Sequence, residues 1–164
     1  MILTKEEQAA DVVIRLSNMM SYMLYECERD RIVLDKEIQN LNNYIELEKI
    51  RYGKRLDISF ETGGVTNNQV IAPLLFMPFI ENAFKHGVEK SRGNTHIHIK
   101  INTEGNQLRF SIENSYQKTE TEHGQGIGLD NLKSRLQYLY PNRHELIIEQ
   151  DESIFKVQLN LKII

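Results

Sequence analysis

The chain has 164 residues, of which 40% are hydrophobic and 26% are charged, and its formal net charge is −3. These proportions are typical of a globular protein and exclude a wholly disordered chain. A chain of this length can fold as one domain, or as one domain with a helical extension, without a metal ion or a disulfide. Its slightly acidic balance gives no general attraction to polyanions, so we expect no nucleic-acid partner.

The sequence predicts a reducing, cytoplasmic environment. Its single cysteine, Cys27, excludes an internal disulfide and a cysteine-based zinc site. The longest apolar stretch, residues 70–80, contains Pro73 and Pro78 and is too short to span a bilayer. We expect no signal peptide, because charged residues begin at Lys5.

Helical periodicity dominates the first third of the chain. Apolar residues recur every three or four positions between residues 4 and 28, and Thr4 and Glu7 have the spacing of a capping box. A second helix is predicted from Asp35, its expected N-terminal cap, to Gly53. Its buried stripe is expected to consist of Ile38, Leu41 and Ile45.

The rest of the chain alternates between strand and helix patterns. A buried helix is predicted at residues 73–85, with Pro73 in its first turn and Pro78 kinking it or delaying its start. Residues 115–125 are predicted to form a mobile loop, and residues 128–140 a final helix. Strands are predicted near residues 56–60, 95–101, 108–112, 145–149 and 154–161. This order predicts an α+β fold, with helices covering one face of a mixed sheet.

Polar residues cluster at the end of the predicted buried helix. Glu81 and Lys85 are four residues apart, as are Asn82 and His86, so each pair shares one side of a helix. A carboxylate, an amide, an ammonium and an imidazole suit a magnesium–phosphate ligand, because magnesium prefers oxygen ligands. The alternative is a solvated last turn with one ion pair and Gly87 as its cap, and this segment taken alone favours that alternative.

A glycine-rich segment, Gly124-Gln125-Gly126-Ile127-Gly128-Leu129, lies between the predicted loop and the last helix. Glycines let backbone N–H groups approach an anion closely, and the N-terminus of the following helix also favours an anion. The spacing fits neither a dinucleotide-binding fingerprint nor a P-loop. A flexible linker is the alternative interpretation of this segment when it is considered alone.

Together and in this order, the two segments resemble the N-box and the G2 box of the GHKL (Bergerat-fold) ATP-binding domain. The wider pattern resembles LytS-type sensor histidine kinases, and the similarity covers residues 12–161. The segments that carry it are residues 16–25, 34–37, 44–48, 51–56, 73–75, 81–83, 126–129 and 139–141, with Asn131, Arg135 and Leu136. Residues 16–25 are similar to the second helix of the phosphotransfer hairpin of that family.

The resemblance implies a two-layer α/β sandwich of the Bergerat type with an N-terminal helical extension. Residues 1–30 would form the helix of the dimerisation and phosphotransfer hairpin, and residues 31–164 the ATP-binding catalytic domain. The implied cofactors are ATP and Mg²⁺. The implied reaction transfers the γ-phosphoryl group of ATP to a histidine and then to a response regulator, here of the LytTR type.

The histidine that accepts the phosphoryl group in this family lies in a His-Phe-x-x-Asn motif on a preceding helix. None of the five histidines of this chain has that context, so the acceptor helix is expected outside the chain. The resemblance further implies a homodimer in the full protein and a cytoplasmic position within a membrane-bound sensor kinase. The rival hypothesis is a non-catalytic GHKL-like module that serves dimerisation or regulator docking.

Site residues follow from the resemblance position by position. Asn82 matches the magnesium ligand, with Glu81 and His86 beside it as further catalytic residues and Lys85 as a phosphate contact. Asn114 stands where the family usually has an aspartate that binds the adenine amino group, and it offers an uncharged acceptor there. The backbone of Gly126, Gly128 and Leu129 would contact the phosphates, and residues 115–125 would form the ATP lid.

Overall fold

The computed structural model describes residues 5–64, 68–88, 93–116 and 127–163. The helices in these ranges are α1 (Lys5–Tyr25), α2 (Leu34–Tyr52), α3 (Met77–Ala83) and α4 (Ile127–Leu139). The strands are β1 (Ile32–Val33), β2 (Leu56–Gly63), β3 (Val70–Ile71), β4 (Thr95–Glu104), β5 (Gln107–Ser115), β6 (His144–Gln150) and β7 (Ile154–Lys162). A 3₁₀ turn, Gly53–Arg55, follows α2, and a π-helical turn, Phe84–Val88, continues α3.

The main sheet has five strands in the order β2-β4-β5-β7-β6. β2 runs parallel to β4, and the other neighbours are antiparallel. Two short segments that the sequence did not predict as strands, β1 and β3, form a separate antiparallel pair. The expected mixed sheet is therefore confirmed.

One face of this sheet forms the core against the helices. Ile99 pairs with Ile112, which pairs in turn with Val157, and all three side chains are buried. Phe110, on the same face, has its ring centroid 4.8 Å from that of Phe76, in the segment before α3. Residues that alternate with these, such as His98 and Lys100, are exposed on the opposite face. The predicted two-layer α/β sandwich is confirmed.

The predicted stripe of α2 is buried, but its predicted cap is wrong. The helix begins at Leu34, and the preceding residue, Val33, makes no side-chain cap hydrogen bond. Asp35 lies in the first turn, where it accepts a hydrogen bond of 2.7 Å from Gln39 Nε2. Because Leu34 is completely buried, packing sets the start of this helix. At the other end Gly53 has a φ of +55°, as a helix-ending glycine often does.

The start of α3 confirms the prediction for Pro78 and contradicts the prediction for Pro73. The helix begins at Met77 with Pro78 in its first turn, so Pro78 does delay the start. Pro73 lies before the helix, in irregular chain, and its predicted first-turn position is wrong.

The predicted loop is also shorter than expected at its beginning, because Ser115 ends β5 and Tyr116 is buried. Residues 117–125 of that loop lie outside the described residues, as does Thr4 of the predicted capping box.

Helix α1 carries exposed apolar side chains. Among its residues only Tyr22 is buried. The exposed apolar residues are Val13, Ile14, Leu16, Met20, Met23, Leu24 and Tyr25. No helix in the described ranges combines the length and the apolar composition needed to cross a membrane.

Candidate nucleotide-binding site

The polar end of α3 lies on the outer side of a helix whose inner side is buried. Glu81 and Lys85 are exposed, whereas Asn82 and His86 are half-buried. The residues between and after them, Ala83, Phe84, Gly87 and Val88, are buried. Because α3 packs against β5, the four polar residues are held beside the sheet and remain accessible to a ligand.

Aromatic residues of α2 pack against the point where α3 changes to a π-helical turn. The Phe84 ring meets Tyr44 edge-on with centroids 5.6 Å apart, and it stacks on Tyr52 at 6.2 Å. Burial, with the negative charges of Glu48 and Glu81, raises the pKa of Tyr44 above its usual range. A π-helical turn within a helix often marks a functional site, and this one contains Lys85 and His86.

The π-helical turn ends in close contact with the sheet. A Cβ atom on Gly87 would lie 3.0 Å from Asn114 Nδ2, 3.0 Å from the Ser115 carbonyl oxygen and 3.4 Å from Thr95 Cγ2. Thr95 Oγ1 donates a hydrogen bond of 3.3 Å to the Gly87 carbonyl. A side chain at this position would crowd these atoms, so Gly87 allows the polar end of α3 to approach Asn114 closely.

Asn114 has a buried acceptor that the described residues leave unpaired. Its side chain is completely buried, and its Nδ2 atom donates a hydrogen bond of 2.8 Å to the Ser115 carbonyl. Its Oδ1 atom has no hydrogen-bond partner within the described ranges. A buried acceptor without a partner costs about 1–3 kcal/mol. The amino group of adenine is a donor of the kind that this atom lacks. Because the atom is enclosed, such a ligand would reach it only after the residues around Asn114 move apart.

The start of α4 provides the second candidate contact for an anion. Gly128 is exposed in the first turn, and a Cβ atom built on it meets nothing within 4 Å. Packing therefore does not explain the glycine, whereas open space over N–H groups at a helix N-terminus suits a phosphate. Leu129 is in the same turn and would contribute its backbone, and Gly126 lies outside the described residues.

The described residues contain no cluster of three or more His, Cys, Asp and Glu side chains that could hold a metal ion by themselves. A magnesium ion at Asn82 would thus take its other ligands from nucleotide phosphates and water, as magnesium commonly does.

The two histidines on the outer face of the sheet, His96 and His98, are hydrogen-bonded to serine side chains. His96 Nδ1 hydrogen-bonds Ser115 Oγ at 2.8 Å, and His98 Nδ1 hydrogen-bonds Ser59 Oγ at 2.7 Å.

The fold is that of histidine kinase catalytic domains. The catalytic domain of histidine kinase ThkA superposes with a TM-score of 0.58 at 15% identity, covering 80% of this chain and 94% of that domain. A structure of ThkA in complex with the response regulator TrrA has a TM-score of 0.56 at 15% identity, covering 93% of this chain and 48% of ThkA.

The chain is also similar in sequence to sensor histidine kinases. Sensor protein LytS of Staphylococcus saprophyticus is 27% identical over 158 residues, covering 88% of this chain and 27% of LytS. The chain thus spans about a quarter of the length of the curated relatives it matches. A family model described as histidine kinase matches residues 1–56. The resemblance to LytS-type sensor histidine kinases is confirmed.

Proposed function

We propose that this chain is the ATP-binding catalytic part of a two-component sensor histidine kinase. It would bind ATP with Mg²⁺ and transfer the γ-phosphoryl group to a histidine outside the chain, from which a response regulator receives it. The observation that carries the proposal is the buried, unpaired Oδ1 atom of Asn114 beside the polar end of α3. The fold and the LytS-like sequence support the same function.

Each site residue has a distinct part in this proposal. Asn114 accepts a hydrogen bond from the adenine amino group, which selects ATP over a nucleotide that offers an acceptor there. Asn82 contributes an oxygen ligand to Mg²⁺, which neutralises phosphate charge when it is bound. Lys85 adds a positive charge near the phosphates, and Glu81 and His86 line the same side of the site. The protein acts mainly by positioning and electrostatic stabilisation, as phosphoryl-transfer enzymes do.

The phosphates bind at the start of α4 in this proposal. The backbone N–H groups of Gly126, Gly128 and Leu129 donate to phosphate oxygens, and the positive end of the helix dipole strengthens the contact. Residues 117–125, which follow the end of β5 and the buried Tyr116, act as the lid over the bound nucleotide. Such lids exclude water from the reacting groups and often close only when the ligand binds.

The exposed apolar residues of α1 support the proposed partners. A surface of this kind usually packs against another helix, and residues 1–30 would then belong to the phosphotransfer hairpin. We propose the helix that carries the acceptor histidine and a second protomer as its partners in the full protein. The response regulator would be of the LytTR type, and the site would face the cytoplasm of a membrane-bound sensor, with residues 31–164 forming the catalytic domain.

The same exposed surface favours the second candidate function, a non-catalytic module for dimerisation or regulator docking. The substitution of Asn114 for the usual aspartate is in line with this alternative, since it removes a charge from the adenine contact. The two candidates differ in one property that is simple to measure, because only the catalytic one requires Mg²⁺-dependent ATP binding.

Titration calorimetry with ATP, with and without Mg²⁺, tests the proposal. We expect the unaltered chain to bind ATP more tightly with Mg²⁺, and Asn82→Ala to lose this increase while its far-UV circular dichroism stays normal. Asn106→Ala is the matched control, because Asn106 is exposed in the turn between β4 and β5. Absence of ATP binding by the unaltered chain would support the non-catalytic module instead.

A further inference from the structure

Residues 72–76, here called the lead-in segment, connect β3 to α3 and are hydrogen-bonded by three helices. Its central residue, Leu74, has a φ of +53°, a backbone conformation that residues other than glycine seldom adopt. Such a conformation persists only when surrounding contacts hold it. The contacts that hold Leu74 therefore determine how the chain enters α3, where Asn82 lies.

The first set of contacts comes from α2. Glu37 is completely buried, and its Oε2 atom accepts a hydrogen bond of 3.0 Å from the Leu74 N–H. Its Oε1 atom accepts one of 3.3 Å from the Phe76 N–H. A buried carboxylate is costly unless it is well hydrogen-bonded, so these bonds link α2 firmly to the lead-in segment.

The second set of contacts comes from α4. Arg135 Nη1 donates a hydrogen bond of 2.9 Å to the Leu74 carbonyl, and Nη2 donates one of 2.5 Å to the Pro73 carbonyl. The planar guanidinium thus holds two successive carbonyl groups in a fixed geometry. Since α4 begins with the glycine-containing turn around Gly128, Arg135 links the two elements that form the proposed nucleotide site.

The third contact comes from α1. Tyr22 is the one buried residue among those of α1, and its hydroxyl group donates to Glu37 Oε2. The same hydroxyl accepts a hydrogen bond of 3.3 Å from the Leu74 N–H. The most buried contact of α1 is therefore made directly with the group that holds the lead-in segment.

We propose that Tyr22, Glu37 and Arg135 form a latch that fixes the spacing between α3 and α4 and couples this spacing to α1. The proposal rests on the proposed function, because the property that the latch controls is nucleotide binding. Arg135 is a positioning residue for the two nucleotide-binding elements. Tyr22 transmits the state of the site to α1, and a displacement of α1 would in turn change the site, because coupling between two sites is reciprocal.

Two conservative variants separate these roles. Arg135→Lys keeps the positive charge but removes the paired contact with Pro73 and Leu74. Lys133→Gln is its control, because Lys133 is half-buried on the same helix and its side chain pairs with Asp130 instead. Tyr22→Phe removes one hydroxyl group and keeps the buried ring, and Tyr25→Phe, exposed on the same helix, is its control. Thermal unfolding of all four variants checks that each remains folded.

The measurements are ATP–Mg²⁺ affinity and hydrogen exchange with and without that ligand. In the unaltered chain we expect the nucleotide to slow exchange at residues 77–88 and also at residues 22–27. The Glu26 and Cys27 amides are direct reporters of the second region, because they donate to the Tyr22 carbonyl at 2.9 and 3.3 Å. Arg135→Lys is expected to weaken ATP binding by roughly fivefold or more. Tyr22→Phe is expected to abolish the response at residues 22–27 and to keep the response at residues 77–88.

If Tyr22 only stabilised the fold, Tyr22→Phe would lower thermal stability but would leave the response of residues 22–27 to the nucleotide in place. The latch is overturned, while the proposed function stands, if the unaltered chain binds ATP but residues 22–27 do not respond. It is also overturned if that response persists in Tyr22→Phe, or if Arg135→Lys binds ATP as tightly as Lys133→Gln. Failure of the unaltered chain to bind ATP–Mg²⁺ overturns both the proposed function and the latch.

Discussion

Gly87 and Asn114 lie in direct contact, so that a Cβ atom on Gly87 would be 3.0 Å from the Asn114 side-chain nitrogen. We therefore expect Gly87→Ala to push the end of the α3 segment away from β5 and to weaken ATP binding. Such overpacking typically costs about 1–3 kcal/mol of stability. Calorimetric ATP titration and denaturant unfolding measure the two effects. Gly93→Ala is the control, because a Cβ atom there meets nothing within 4 Å. Equal effects of both variants on ATP binding and stability would contradict the role assigned to Gly87.

The unpaired oxygen of Asn114 predicts a preference for adenine. Its Oδ1 atom can only accept a hydrogen bond, while its Nδ2 atom is committed to the Ser115 carbonyl. ATP offers an amino group to this atom, whereas GTP offers a carbonyl oxygen at the equivalent position of its base. Asn114→Ala is expected to weaken ATP binding by about 0.5–1.5 kcal/mol, the usual net value of one hydrogen bond, and to leave GTP binding unchanged. Competition titrations with both nucleotides measure this, and an unchanged ATP-to-GTP ratio would remove Asn114 from the base contact.

The sequence predicted the elements that have a clear local period. The alternating residues of β4 and β5 identified the central hairpin. The order of the polar and glycine-rich motifs predicted a nucleotide site, which stays a prediction. Residues whose environment depends on distant parts of the chain were not predictable. Glu37 and Asn40 are polar and lie in a helix, yet both are buried. Glu37 contacts the segment before α3 and Tyr22 of α1, and Asn40 lines a pocket between α1 and α2.

The site shows the same division between local and long-range information. The motif spacing placed Asn82 at the accessible end of a buried helix, which the structure agrees with. The contact between Gly87 and Asn114 exists only once β4 has paired with β5. The contact of Arg135 with Pro73 joins residues that are 62 positions apart along the chain. No periodic pattern in a single sequence carries such pairings.

The buried carboxyl of Glu37 predicts a specific dependence of stability on pH. Burial raises the pKa of Glu37 above its ordinary value of 4.5, although hydrogen bonds from the Tyr22 hydroxyl and from backbone N–H groups oppose this effect. The folded state therefore holds the proton more tightly than the unfolded chain does. The stability that Glu37 contributes is fully present below about pH 4.5 and is lost as the pH rises through its pKa in the folded state.

Denaturant unfolding of the unaltered chain and of Glu37→Gln, between about pH 4 and pH 8, measures this dependence. Glutamine has the same shape and does not titrate, so the difference between the two chains isolates the carboxyl group. We expect the unaltered chain to lose unfolding free energy relative to the variant as the pH rises. A relative gain would mean that the hydrogen bonds to the carboxylate outweigh its burial.

The chain is expected not to phosphorylate itself when it is incubated with ATP and Mg²⁺. None of its histidines, His86, His96, His98, His123 and His144, lies in the His-Phe-x-x-Asn context of the family's acceptor. The Nδ1 atom of His96 is in a hydrogen bond with Ser115 Oγ, and that of His98 with Ser59 Oγ. The Nδ1 atom of His144 is in a hydrogen bond with the Tyr140 carbonyl oxygen. Radiolabelled ATP followed by acid and base treatment tests this, on a sample whose ATP binding has been verified. Acid-labile, base-stable phosphate on any of the five would show that the acceptor was assigned wrongly.

The position of β7 has a consequence for the synthesis of this protein. β7 lies between β5 and β6 in the sheet, although it follows both of them along the chain. A nascent chain that has left the ribosome only as far as β6 has an open β5 edge and a β6 strand without its neighbour. Unpaired strand edges attract other chains and promote aggregation. The sheet is completed only when residues 154–162 emerge, so a pause in translation shortly before them should make the nascent chain dependent on a chaperone.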